Sequence, residues 1–139
     1  MKHWDPLLIR FLYEFNKTRD YYECHDVMEE LWLEEGRKPL YQGLLQVAVG
    51  LYHHGNGNVS GAIKLLRAAI EKLEPYADYI LGIHLELLVQ DASRYLHKLE
   101  GIDTAPFMPY DLDIHIVHPE LLQAVEDLVI NPPLKTNDE

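Results

Sequence analysis

From Leu40 to Tyr52 the chain runs thirteen residues without a charged side chain, Leu-Tyr-Gln-Gly-Leu-Leu-Gln-Val-Ala-Val-Gly-Leu-Tyr. Pro39 before it suits the first turn of a helix, and Gly55-Asn56-Gly57-Asn58 after it reads as a turn, so a helix is expected from near Pro39 to His54. A helix that is apolar around its whole circumference has to be surrounded, and one this short falls well below the ~20 residues that a bilayer crossing takes. It is therefore expected to be the central, buried helix of a helical array. Gly43 and Gly50 lie seven apart on one side of it. Each costs up to about 1 kcal/mol in a helix interior, so they are read as permitting close approach of a neighbouring backbone. The remaining polarity is one stripe, Gln42, Gln46 and His53.

The rest of the sequence supplies partners for that helix. Asp5-Pro6 reads as a cap and first turn, followed by the apolar stripe Leu8, Phe11, Leu12 and Phe15 up to about Asn16. Asp20 with Glu23 resembles a capping box that opens a second helix running to about Glu35 and stopping at Gly36. Ile63, Leu66, Ile70 and Leu73 mark a fourth helix, and a fifth is expected from about Ala77 to Leu99, with Leu81, Leu85, Leu88, Ala92 and Tyr95 inward. Residues 101–118 read as a packed loop whose alternating Leu112, Ile114 and Ile116 turn inward from an extended segment. A last helix starts near Pro119 and ends before Pro132-Pro133. The expected fold is all-α, a compact array of five to six helices around a buried third helix. Residues 1–130 form one domain in this reading, and 131–139 a polar, disordered tail.

Charge narrows the partners. A formal net charge of −11, with twelve scattered basic residues, argues against nucleic acid and against anionic membrane surfaces. The single cysteine, Cys24, excludes an internal disulfide framework and fits a reducing compartment. No apolar run approaches a membrane span and the first residues lack a signal-peptide pattern, so a soluble cytoplasmic protein is expected.

The second helix carries the residues that invite chemistry. At about 100° per residue, His25, Glu29 and Trp32 fall within a sector of roughly 60°, together with the arc of Tyr21, Val27, Met28 and Leu31. Glu23, Asp26, Glu30 and Glu34 cluster on the other side and read as a solvated acidic face. Joined by a short loop, helices two and three should pack antiparallel. That sets His25 level with His53, Glu29 with Gln46, and Trp32 with Gln42. Two imidazoles and a carboxylate could hold a divalent metal ion such as zinc with open positions, or act as acid, base and orienting group. The plainer reading is a buried hydrogen-bond network in which Glu29 orients the histidines and the glutamines close the remaining valences. Eight histidines and thirteen glutamates give about 0.7 His-x-x-x-Glu pairs by chance, so the weight lies in the facing stripe rather than in the motif.

His25-x-x-x-Glu29-x-x-Trp32, followed by an apolar helix ending in Tyr52-His53 and by Gly57-Asn58-Val59-Ser60-Gly61-Ala62, resembles the domain-of-unknown-function family 309. The likeness covers about residues 16 to 99. It implies a compact all-helical fold without an established activity, and a signature that maps onto His25, Glu29, Trp32 and, by helix phase, His53 in preference to His54. The resemblance also implies an acidic residue where this chain has His84.

Other constellations are weaker. His25-Asp26 matches a phosphohydrolase dipeptide, but Asp26 points to the acidic face. Asp111, Asp113, His115 and His118 read as surface decoration on the extended segment. Cys24 lies about 100° from His25 on the helix, which disfavours a nucleophile pair. The most specific expectation is a small-ligand or metal site in which His25, Glu29 and His53 are the metal-binding or catalytic candidates, and Trp32, Gln42 and Gln46 contact the ligand. Hydrolysis with Glu29 as base is an extension of it. The competing expectation is a non-enzymatic structural or interaction module, a homodimer in which the same residues only hold the fold.

Overall fold

The computed structural model describes residues 4–134. Six α-helices are found among them: α1 (Pro6–Tyr13), α2 (Tyr21–Glu34), α3 (Pro39–Gly55), α4 (Val59–Leu73), α5 (Leu85–Glu100) and α6 (Pro119–Ile130). The fold is all-α, as expected, and the only pairing of β type described is an isolated bridge between Ile83 and Ile116. Residues 131–134 have no regular structure; the remainder of the expected disordered tail lies outside the described residues.

The uncharged helix sits at the centre. Leu44, Val47, Ala48 and Leu51 of α3 are buried, and the helix packs most extensively against α4 on one side and α2 on the other. Its glycines serve α4. A methyl carbon placed on Gly43 would stand 2.7 Å from Leu73 Cδ2, and one on Gly50 would stand 2.9 Å from Leu66 Cγ. The closest approach is therefore to two leucine side chains, and at Gly50 the α4 backbone comes near as well, with Ala62 O 3.6 Å from the added carbon. Leu66 and Leu73, themselves seven apart, meet Gly50 and Gly43 in antiparallel order.

The first helix ends earlier than its apolar stripe suggests. After Tyr13 the chain widens into one π-helical turn, Glu14–Thr18, closed by Arg19 at φ 59°. Glu14 is buried there, and it accepts hydrogen bonds from Arg10 Nε at 3.0 Å and Thr18 Oγ1 at 2.5 Å. Arg10 Nη2 also donates to Glu23 at 2.6 Å. Glu23 is thus 2% exposed, and not part of the solvated acidic face expected for α2. The helical wheel places a residue on a face but does not say whether another helix brings a guanidinium to it. The π-turn also presents Asn16, whose side chain donates to Ile114 O at 2.8 Å and accepts from Ile114 N at 2.9 Å. That pins the extended segment, with Leu112 and Ile114 buried as their alternation predicts.

The fifth helix begins at Leu85, eight residues later than expected. Tyr79, Leu81 and Gly82 adopt left-handed φ values of 66°, 58° and 71°, which a helix cannot contain. The turn is held by the Asp78 carboxylate, which accepts from Tyr79 N, from Glu86 N and from His84, all at 3.0 Å. Gly82 is needed because a side chain there would run into Trp4 at 2.8 Å.

His54 is the buried histidine of α3. Its Nδ1 stands 2.5 Å from Tyr95 Oη on α5, and its ring packs against Phe107 at 5.0 Å. Burial pushes the Tyr95 hydroxyl up to about 12, so it keeps its proton and donates to the imidazole. Burial lowers the His54 pKa from its ordinary 6.5, which keeps the ring neutral and able to accept.

Two outcomes are expected. Gly43→Ala adds helix propensity yet should lower unfolding stability by about 1–3 kcal/mol, because the methyl group displaces Leu73; equal or greater stability in denaturant titrations would contradict the packing. For His54, the unfolded chain binds a proton below pH 6.5 that the folded state refuses. Stability from this group is complete above that pH and is lost as pH falls toward the lower folded pKa. Melts of wild type and His54→Asn between pH 7.5 and 5 should converge on acidification, and parallel curves would refute the assignment.

Candidate functional site

Between α2 and α3 the surface is cut by a groove of about 320 Å³, lined by His25, Glu29, Trp32, Gln42, Leu45, Gln46, Val49 and Leu65. Five of the six residues singled out in the sequence meet here. Antiparallel packing of α2 on α3 aligns the i, i+4, i+7 stripe of one with the i, i+4 stripe of the other. Leu65, which closes the groove from α4, carries no sequence signal, since it lies off that helix's core stripe.

The groove has an open rim. The side chains of His25 and Glu29 are 39% and 48% exposed, so sharing an arc with Val27, Met28 and Leu31 does not bury them. Helix phase put them beside buried residues; α3 then diverts its two glutamines to the same edge, and the edge stays open. His25 stands between two carboxylates, with Nδ1 3.3 Å from Asp26 Oδ1 and Nε2 3.2 Å from Glu29 Oε2. Two of the lining residues carry a buried polar atom, Trp32 Nε1 and Gln46 Oε1, with no hydrogen-bond partner within the protein. A network that closes on itself is therefore not formed. An indole N–H and an amide oxygen, each removed from water, are left to be met by something else.

His53 does not line the groove. Its Nδ1 faces Asn58 Nδ2 at 3.5 Å, and its carbonyl accepts from Asn58 N at 2.8 Å, so it belongs to the turn that starts α4. The rings of Tyr22 and Tyr52 stand between the two histidines, in a row that runs His25, Tyr22, Tyr52, His53 with centroid spacings of 6.5, 5.8 and 6.1 Å. Equal level along two helices is not equal azimuth. Among the described residues no group of three or more His, Cys, Asp or Glu side chains is disposed to hold a metal ion.

The other candidates resolve into structural roles. Asp111 accepts from Tyr21 Oη at 2.6 Å, Asp113 pairs with Arg19, and His118 packs against Trp4 while its Nδ1 caps α6. Cys24 is fully buried, and burial together with the nearby charges of Glu14, Asp20 and Glu23 raises its pKa well above the ordinary value. It stays a thiol and offers no nucleophile. A larger groove of about 450 Å³ lies between α1, α2 and α6. Its lining is mostly apolar, and its one cation, Arg10, is already bound to Glu14 and Glu23.

Residues 8–65 match the family model of a domain of unknown function, DUF309, and all six singled-out residues fall inside that span. The chain is 45% identical over 69 residues to the uncharacterized protein YpuF of Bacillus subtilis (strain 168), a match covering 48% of this chain and 40% of that protein. It is 28% identical over 112 residues to an uncharacterized protein of Aquifex aeolicus (strain VF5), covering 76% of this chain and 32% of the other. This chain thus spans less than half the length of either relative. No biochemical activity comes with these likenesses. No helix among the described residues is long and apolar enough to cross a membrane.

Proposed function

We propose that this protein, acting in the cytoplasm, binds a small polar molecule in the groove between α2 and α3. The molecule offers an acceptor to Trp32 Nε1–H and a donor to Gln46 Oε1, with Gln42 beside them and His25 and Glu29 at the entrance. The observation that supports this reading above all is the pair of buried, unpartnered polar atoms on residues that line the groove. An unmet buried donor or acceptor costs about 1–3 kcal/mol, and binding sites are where a fold tolerates such a cost. A ligand that meets both recovers that energy as affinity. Metal binding by His25, Glu29 and His53 finds less support, because His53 is engaged with Asn58 outside the groove. Hydrolysis would need a group that activates or orients a nucleophile besides Glu29, and binding alone accounts for what lines the site.

Substitution at Gln46 separates this reading from a structural one. Gln46→Leu removes the unmet oxygen at similar volume. It is expected to leave stability unchanged or to raise it by about 1 kcal/mol, while abolishing the thermal stabilisation produced by any hit from a panel of amides, nucleosides, amino-acid derivatives and sugars. Glu29→Ala, at an exposed position, is expected to cost less than about 1 kcal/mol. A loss of several kcal/mol on Gln46→Leu, with no compound in the panel shifting the wild-type melt, would mean that these residues only hold the fold.

A further inference from the structure

The groove's charge and aromatic surroundings restrict its occupant further, on the premise of the ligand-binding reading above. We propose that it takes an organic cation that also carries a carbonyl group, the combination presented by a basic amino-acid amide. Three observations lead there.

The first is electrostatic. The lining contains no lysine and no arginine. Its carboxylate, Glu29, has its side chain 48% exposed and stands 3.2 Å from an imidazole that also faces Asp26 at 3.3 Å. One imidazole divided between two carboxylates leaves Glu29 incompletely compensated even when the ring is charged. A phosphate or carboxylate entering here would meet Glu29 without a guanidinium or ammonium among the lining residues to hold it, the Arg37 guanidinium being set over the Trp32 ring, whereas a cation gains from the same field.

The second is aromatic. The ring row that starts at His25 continues over Tyr22, 50% exposed, and Tyr52, 38% exposed. Exposed aromatic rings that continue from the imidazole at the groove's edge favour cations, through attraction to the ring quadrupole. The chain uses this attraction itself, since the Arg37 guanidinium stands 5.6 Å from the centroid of Trp32.

The third is the pair of unmet atoms. Gln46 Oε1 asks for an N–H, which a guanidinium or ammonium supplies. Trp32 Nε1–H asks for an acceptor, which neither of those groups has. A carbonyl on the same molecule supplies it. Charge alone therefore does not complete the match, and a simple alkylamine satisfies only half of the pair.

The test uses the full chain labelled with 5-fluorotryptophan, so that Trp32 and Trp4 report separately by fluorine NMR, with Trp32→Phe to assign the signals. The probes are Nα-acetylargininamide, its uncharged isostere Nα-acetylcitrullinamide, and the anionic Nα-acetylglutamate amide. The expected result is a saturable shift of the Trp32 signal with the arginine compound at least tenfold tighter than the citrulline compound, weakening with salt, and no shift with the glutamate compound. In Glu29→Gln the two isosteres should bind equally. Equal binding to the wild type, preference for the anion, or an unchanged preference in Glu29→Gln would overturn the cation assignment while leaving the groove reading in place. Absence of a saturable Trp32 shift with all three probes would also overturn it, and the Gln46→Leu melts then decide the groove reading separately.

Discussion

The contact between the glycine face of α3 and the leucines of α4 is the constraint on which the other packing decisions rest. Gly43 and Gly50 receive Leu73 and Leu66 so closely that no side chain fits between them. With that face sealed, and with Leu44, Val47 and Leu51 buried besides, α3 keeps, between Leu40 and Tyr52, only a narrow edge, Gln42, Leu45, Gln46, Val49 and Tyr52, that reaches the surface. The thirteen-residue gap in charged residues follows from this packing. So does the placement of its glutamines, which are confined to the one edge where α2 leaves the helix partly open.

That edge concentrates the protein's unresolved polarity. Several enclosed polar groups elsewhere are met: Glu14 and Glu23 share Arg10, His54 has Tyr95, and the half-buried Asn16 pairs with the backbone of Ile114. These pairs show that the fold supplies partners to the ionisable groups it encloses. Trp32 Nε1 and Gln46 Oε1 depart from that habit within one groove. The departure coincides with the rim formed by His25 and Glu29, where solvent and solutes have access.

The helical framework was legible because its signals are local. The caps at Asp5 and Asp20, the turn at 55–58, prolines in the first turns at Pro6, Pro39 and Pro119, and apolar periodicity placed the helices other than α5 within a few residues. What failed depended on partners distant in sequence. The late start of α5 reflects the bonds of Asp78 and the crowding of Gly82 by Trp4, neither of which alters the apolar period. The burial of Glu23 reflects Arg10, thirteen residues away. Two-dimensional reasoning about facing helices brought together His25, Glu29, Trp32, Gln42 and Gln46, because those pairs lie within the body of the α2/α3 contact. It misplaced His53 because the last turn of α3 is steered by the Asn58 cap of α4, and it left His54 without the tyrosine that holds it. Register along a helix can be read from spacing, whereas the azimuth of a terminal residue is set by what the chain does next.

The central claim is that residues lining the groove carry buried polar atoms which the protein itself does not satisfy. Its most direct test is the nitrogen–proton spectrum of the Trp32 indole in the ligand-free protein, assigned by Trp32→Phe. The account predicts an indole proton resonating upfield of hydrogen-bonded indoles and exchanging with solvent faster than the amides of α3, with a shift that does not respond to Gln46→Leu. A downfield, protected indole proton whose shift moves on Gln46→Leu or Gln42→Leu would reveal an internal acceptor, and would contradict the claim.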